Sequence, residues 1–383
     1  MTRRRTVLAV GDLVLDENEV AKYFEPTRDL FAAADISICQ IEVPHTSSTE
    51  VTSTDVPAPP APEHNVEQIG LAGFNIATLA GNHIYDCGLQ GITDTRRLAQ
   101  DAGLAVTGAG INLEQAKEPA IVDMDGVSLG VANYNCVGPK DSWATSKKAG
   151  CAHVNVLTHY ELDSANPGGP PSIYTFAEPK ALKSFIQDVK DLAARVDFPI
   201  VALHKGIGHM PAEVADYEIQ LAHAAIDAGA KAVISHHAHI MRGIEVYRGA
   251  PIYHGLGNFV TVTNALNTTG QDSPERIAWA KRRRKLFGFD PDPTMPNYAF
   301  HPQSRNTGIA RLEITEQGEL GAGFIPCWIG QDAVPRPLRN EADARPVVEY
   351  LQHITAEAGF DTTTHWVEDY LAIDLTVSEE QPS

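Results

Sequence analysis

The chain has 383 residues and lacks most of the features that would place it at once. No stretch approaches the ~18–20 consecutive apolar residues of a membrane-crossing helix. The five cysteines (Cys39, Cys87, Cys136, Cys151 and Cys327) are odd in number, widely spaced and without a C-x-x-C pair. That disfavours a disulfide scaffold and suits a reducing compartment. Basic residues are outnumbered: 30 Lys and Arg stand against 49 Asp and Glu, for a formal net charge of −19. Nucleic acid and anionic membranes are therefore not expected as partners. There is no P-loop, no G-x-S-x-G elbow and no cysteine in a His-paired motif. The G-x-G of "GAGINLEQA" and "GLGNFV" lacks the strand–helix context and third glycine of a dinucleotide site. At the N-terminus, "MTRRRTVLAVGDLVL" starts basic, but its apolar run is short, is broken by Asp12 and lacks a small-residue cleavage site. It reads as a first buried strand, not a signal peptide, and a soluble cytoplasmic protein is expected.

What the chain does have is alternation. "TVLAVG", "DISICQIE", "FNIATLAG", "SLGVANYN", "FPIVALHKG" and "KAVISHH" read as buried strands. Helical patterns lie between them. In "PAEVADYEIQLAHAAIDAG", Val214, Tyr217, Leu221, Ala225 and Ala228 recur at steps of three and four, with Pro211 suited to a first turn and Gly229 to the C-terminal cap. "GITDTRRLAQDAG" and "PKALKSFIQDVKDLAARV" are similar, so a layered α/β domain is expected. Two irregular excursions interrupt it. Residues 46–63 read as a long loop near the strand ends, facing substrate. Residues 261–307 contain "RIAWAKRRRKLF", with six basic residues between Arg276 and Lys285, for which a solvated, partner-binding or anion-steering segment are the readings. After this, "GIARLEIT" and "GAGFIPCWI" resume as strands. A catalytic domain over 1–338 is followed by a C-terminal helix (about 341–358) and an acidic tail within 339–383.

Five apolar runs each end in a possible metal ligand: Asp12, then Glu42, then Asn82 with His83, then His204, then His236, His237 and His239. Open α/β sheets build their sites outside the carboxyl ends of strands, where loops converge. Asp and Asn are common in turns, which explains any one of these residues but explains five poorly. In "ISHHAHI", an extended chain through Ser235–His239 would aim His237 and His239 to one side and His236 to the other. His236 is then structural or supports a ligand. Imidazole mixed with carboxylate and amide oxygen suits Zn²⁺, Mn²⁺ or Fe²⁺ better than Ca²⁺ or Mg²⁺. Of the other histidines, His45, His209, His254 and His301 lie near candidate site loops.

Several stretches together carry a family resemblance: "GD" at 11–12, "IE" at 41–42, "AGNHIYDCGLQGITDT" and "LAHAAIDAGAKAVISHHAHIMRGIEVYRGAPIYHGLGNFV". They resemble the poly-γ-glutamate capsule biosynthesis (CapA-type) family, a branch of the calcineurin-like metallophosphoesterase superfamily. The resemblance covers roughly residues 6–260. It implies a four-layer αββα sandwich with one or two divalent metal ions at one edge. Asp12 would bind one metal and Glu42 would stand where the superfamily has a bridging Asp. Asn82, His204 and His237 would complete the second metal, and His239 would return to the first. His83 would contact or protonate the leaving group, with Asp86 orienting it. Where the superfamily has D-x-H, this chain reads Asp12-Leu13-Val14; the first metal position would then be weak, exchange readily or be completed by Asp16 or His45, with a single tightly held metal as the other outcome. "DLVLDEN" also places acidic Asp16 and Glu17 where the family tends to have small or basic residues.

A metal with an open position lowers the pKa of bound water toward ~7 and polarises a carbonyl or phosphoryl oxygen. The expectation is a metal-dependent hydrolase of an ester, phosphoester or amide in a small or oligomeric substrate. In "HPQSRNTG", Arg305 and Asn306, with His301 nearby, are candidate anchors for a carboxylate or phosphate. His45 is a further candidate in the substrate site. The alternatives are a poly-γ-glutamate capsule biosynthesis factor and a non-catalytic binding protein on the same fold.

Overall fold

The computed structural model describes residues 4–52, 58–162, 164–265, 274–315 and 317–376, with the side chains of Glu275, Arg276 and Trp279 excepted. Beside two two-stranded sheets, Val156–Glu161 with Ser172–Ala177 and Ala109–Gly110 with Gly150–Cys151, its principal strands form two large ones. In chain order they are β1 (Arg4–Leu15), β2 (Ile36–Ile41), β3 (Ile76–Thr78), β4 (Ala105–Thr107), β5 (Ala120–Asp123), β6 (Ser128–Asn135), β7 (Phe198–Lys205) and β8 (Ala232–His237). There follow β9 (Ile244–Tyr247), β10 (Ala250–Tyr253), β11 (Asn258–Val262), β12 (Asn306–Thr315), β13 (Leu320–Ile329), β14 (Pro335–Pro337), β15 (Thr364–Val367) and β16 (Tyr370–Ile373). The larger sheet has the order β15-β16-β13-β12-β1-β2-β3-β4, with β11 also pairing β1 and β14 pairing β13; the smaller runs β9-β10-β8-β7-β6-β5.

Period-two burial decides how these sheets stack. On β1, Val7 and Ala9 face one way into a core shared with Leu129, Val131, Ile200, Ala202 and Ile234 of the smaller sheet. Leu8 and Val10 face the other way, into a core with Val66, Ile69, Ile92 and Ala99. The latter four belong to α1 (Asn65–Leu71) and α2 (Gly88–Asp101), which cover the outer face of the larger sheet. The smaller sheet is covered by α3 (Pro179–Ala193) and α4 (Asp216–Asp227) through Phe185, Val189, Leu192, Tyr217, Leu221 and Ala225. The result is the four-layer αββα sandwich. Both faces of the central strands are buried, which is why they read as continuous apolar runs and not as alternating ones.

Three differences from the sequence reading have local causes. The helix at 211–229 begins at Asp216, past Pro211, because Glu218 caps it by accepting from the Ala215 N–H at 2.9 Å. The excursion at 261–307 contains a helix, α5 (Pro274–Phe287), although residues 266–273 lie outside the described set. Beyond α6 (Glu341–Glu357), β15 and β16, which the sequence reading did not pick out, extend the larger sheet and bury Leu371 and Ile373. Residues 377–383 of the acidic tail, and 53–57 of the first excursion, lie outside the described residues. Among the described residues no helix is long and apolar enough to cross a membrane.

Candidate metal centre

The site forms where β2, β7 and β8 end, beside a register shift in β1 between Asp12 and Leu13, after which that strand runs on to Leu15. Gly11 permits it: a Cβ there would fall 1.9 Å from the Gly257 carbonyl oxygen. The close approach lets the Asp12 N–H donate to that oxygen at 2.9 Å and sets Asp12 beside Asn258 in register. Glu42 follows directly on β2, its N–H donating to the Leu13 carbonyl at 3.1 Å. Both carboxylates are buried. A ligand atom from each of Asp12, Glu42 and His239 lies within 4.8 Å of the others, and His239 Nε2 is 3.1 Å from Glu42 Oε1. Beside them, His204 Nε2 lies 2.8 Å from Asn82 Oδ1, and the His204 and His237 rings are 4.9 Å apart.

The histidine run is not extended through residue 239. The strand stops at His237, and His237 and His239 take φ values of 92° and 52°. Such conformations are strained for a residue with a Cβ and concentrate at functional sites. The turn nevertheless leaves His237 and His239 together on the cavity, while His236 turns away and bonds the Val10 carbonyl at 3.0 Å. The His237 N–H donates to Asp12 Oδ2 at 3.1 Å, and His239 Nδ1 sits 2.8 Å from Asn258 Oδ1. His83 Nδ1 is 2.8 Å from Asp86 Oδ2.

Electrostatics follow from burial. Removal from water, and then the charge of Glu42, push the Asp12 carboxyl well above its ordinary value. Burial opposes ionisation of Glu42 as well, but His239 and His83 draw its carboxyl down. His239 is pushed up to about 9: burial works against its charged form and the two carboxylates prevail. Burial and the neighbouring imidazoles of His237 and His236 hold His204 well below its usual range. Asp12 Oδ1, Glu42 Oε2 and His204 Nδ1 are buried without a hydrogen-bond partner among the described residues. Each such atom costs about 1–3 kcal/mol unless something satisfies it. Two buried carboxylates, imidazoles and an amide oxygen at strand ends fit a divalent cation.

The cavity above this cluster has a volume of about 330 Å³ and is lined in part by Glu42, Asn82, His83, His209, His237 and His239. Other predicted site residues fall elsewhere. His45 is packed inside the protein, its ring bonded to the Pro62 carbonyl at 2.9 Å. Asp16 accepts from Thr263 Oγ1 at 2.8 Å and opens on a separate surface cleft with Glu17 and Lys22. Neither joins Asp12, and Val14, in the place of the absent D-x-H histidine, is part of the cavity wall. Arg305 donates to the Ile329 carbonyl at 2.8 Å, stacks on Trp328 and lines a neighbouring cleft with His301. Asn306 bonds the Gln303 carbonyl at 3.1 Å. His209 and Asn258 carried little signal in the sequence. His209 has φ 61° and stacks between His239 and His301, with ring centroids 6.0 and 6.4 Å away. The glycines around Asn258 showed only a turn.

The fold and this site define an αββα protein with a buried cluster of carboxylates and imidazoles at the strand ends. Residues 6–263 match the model of the family described as "Bacterial capsule synthesis protein PGA_cap", and the chain belongs to that family. It is 27% identical over 201 residues to the capsule biosynthesis protein CapA of Bacillus anthracis, covering 52% of this chain and 43% of that protein. To the PGA biosynthesis protein CapA of Bacillus subtilis it is 28% identical over 245 residues, covering 63% of this chain and 57% of that one. The matches thus span about half the length of these relatives. Among solved structures, a Staphylococcus aureus protein with a provisional 5'-nucleotidase name aligns over 92% of this chain and 58% of its own, at 12% identity and a TM-score of 0.44.

Proposed function

We propose that this protein is a metal-dependent hydrolase of the metallophosphoesterase type. Asp12, Glu42, Asn82, His204, His237 and His239 hold one or two divalent cations (Zn, Mn or Fe), and the substrate is a small or oligomeric anionic ester, phosphoester or amide. The observation that carries the reading is the buried convergence of Asp12, Glu42 and His239 within 4.8 Å at the foot of a cavity. A divalent cation supplies Lewis acidity there, acidifying water and polarising the oxygen of the bond to be cut. The chain's own groups supply the rest. Asp86 takes a hydrogen bond from His83 Nδ1, which sets the ring's orientation and tautomer on the cavity wall, and His83 delivers a proton to the leaving group. Asn258 orients His239 in the same way. His236 braces β8 against β1 through its bond to the Val10 carbonyl and would not be among the residues that hold the cation. Five free cysteines, all buried, accord with a reducing compartment, and we place the protein in the cytoplasm.

The family match favours a second reading, an accessory role in assembling a poly-γ-glutamate capsule. One experiment separates the two. Metal content per chain is measured by elemental analysis, and the loaded protein is assayed on a nitrophenyl phosphomonoester, a phosphodiester, a carboxylic ester, a γ-glutamyl anilide and poly-γ-glutamate. The hydrolase reading expects about one or two equivalents of metal and turnover that disappears in Glu42→Ala. A protein that holds no metal, takes none up and turns over nothing refutes it.

A further inference from the structure

The basic run of α5 is not uniformly solvated. Lys281, Arg282, Arg284 and Lys285 are exposed, whereas Arg283 is buried at 7% and lines the cavity above the metal cluster. Its guanidinium lies over the Phe289 ring at 5.7 Å, with Nη1 3.5 Å from the Ala299 carbonyl oxygen. The cavity lining also includes the apolar Val14, Val43, Pro59, Phe287 and Phe300, with Thr263 among them. Among the described lining residues Arg283 is the one Lys or Arg.

Its place relative to the cluster also matters. Arg283 lies over Phe289, whose ring packs against His209 at 4.9 Å, and the His209 ring stands 6.0 Å from that of His239. Two rings, Phe289 and His209, thus link the guanidinium to His239 at the cluster. At ~30 Å³ per water, the cavity has room for about ten waters. That suits one compact organic group, not a polyanionic strand surrounded by charge. The guanidinium presents a planar fork of donors that matches a carboxylate, so an anionic group entering the cavity meets a charge-assisted partner at Arg283.

We infer that the cavity takes a substrate with a compact apolar body and one carboxylate set apart from the scissile bond, and that Arg283 is the residue that holds that carboxylate. This rests on the hydrolase reading above, because the scissile bond is placed at the metal cluster.

The test uses full-length protein loaded with Mn²⁺ and three probes followed by titration calorimetry: methylphosphonate, benzylphosphonate and 4-carboxybenzylphosphonate. The phosphonate addresses the metal, the ring the apolar wall and the carboxylate Arg283. Each step along this series should tighten Kd by about tenfold, equivalent to ~1.4 kcal/mol. In Arg283→Gln the gain from the carboxylate should vanish while benzylphosphonate stays within about twofold of wild type; Arg283→Lys should keep part of the gain. The inference is overturned if the carboxylate adds nothing in the wild type, if Arg283→Gln weakens both benzyl probes equally, or if Mn²⁺-loaded protein binds none of the three. A protein that takes up no Mn²⁺ at all shows instead that the hydrolase reading has failed, and the inference falls with it.

Discussion

Glu218→Gln removes a single charge from a fully buried group of three. Glu218 Oε2 lies 2.9 Å from Lys205 Nζ and 2.6 Å from Arg242 Nη1, and all three side chains are excluded from solvent. Glutamine preserves the volume but leaves two buried cations without a counter-charge. Breaking a buried ion pair from one side costs about 3–5 kcal/mol. The carboxyl's own titration provides a second figure. Burial opposes its ionisation, yet Lys205 and Arg242 hold it at about 2, against an ordinary 4.5. At 1.36 kcal/mol per pH unit that gap corresponds to about 3 kcal/mol. The folded-state value is depressed, so this stability is fully present above pH 4.5 and is lost as pH falls toward 2. Urea unfolding followed by far-ultraviolet circular dichroism should therefore find Glu218→Gln less stable by about 3 kcal/mol at pH 7. The difference from wild type should shrink steadily between pH 4.5 and 2.5. A difference below about 1 kcal/mol at pH 7, or one that does not change with pH, would refute the reasoning. The network matters to the site because Lys205 directly follows His204 at the end of β7.

Other substitutions sort the site residues by role. Glu42→Ala and His237→Ala should each reduce bound metal to under about a tenth of wild type by elemental analysis, with an unchanged circular dichroism spectrum. His83→Ala should keep its metal and lose about 10²–10⁴-fold in kcat; if metal is lost with it, His83 is a ligand. Asp86→Asn should lower kcat less and alter its pH profile, because it perturbs the ring that Asp86 orients. His236→Ala should retain metal but lose about 1–3 kcal/mol of unfolding free energy, from the severed bond to Val10. Metal loss in His236→Ala equal to that in His237→Ala would show that the turn at 237–239 has been misread.

The layers were legible because burial on both faces writes itself as uninterrupted apolar runs. β1, β2, β7 and β8 could each be read from one short, largely apolar run. Two members of the candidate cluster were legible for the same reason, since Glu42 and His204 stand where those runs stop, whereas Asp12 interrupts β1, which runs on to Leu15. What could not be read was the shape of the turns. Nothing local in "SHHAH" announces positive φ at His237 and His239, because the conformation is imposed by contacts with Asp12, Asn258 and Ser304, far away in sequence. His45 shows the opposite error. Near a strand end in sequence, it is drawn inside by Thr95 and Pro62 and never reaches the cluster.

The cavity's outer wall was the least legible part, and the reason bears on function. Arg283, Phe287, Phe289 and Phe300 come from the excursion at 261–307, where no period marks a face and α5 has exposed charge on both sides of Arg283. A sequence in which only one of several adjacent cations is buried offers no pattern to find; only the packing of Phe289 and Ala299 around that one guanidinium singles it out. The metal-facing wall is instead built from strand ends, held in register by Gly11 against Gly257 and by Asp12 opposite Asn258. The two walls are thus under different constraints. Changing a residue at a strand end disturbs the pairing of the sheets, whereas α5 lies outside that pairing, with Met295, Tyr298 and Phe300 anchoring the excursion to the core. On the hydrolase reading proposed above, chemistry would fall to the wall the fold dictates and substrate choice to the wall it leaves open. On that argument, exchanging residues of the excursion should change which probe binds and leave the bound metal unchanged.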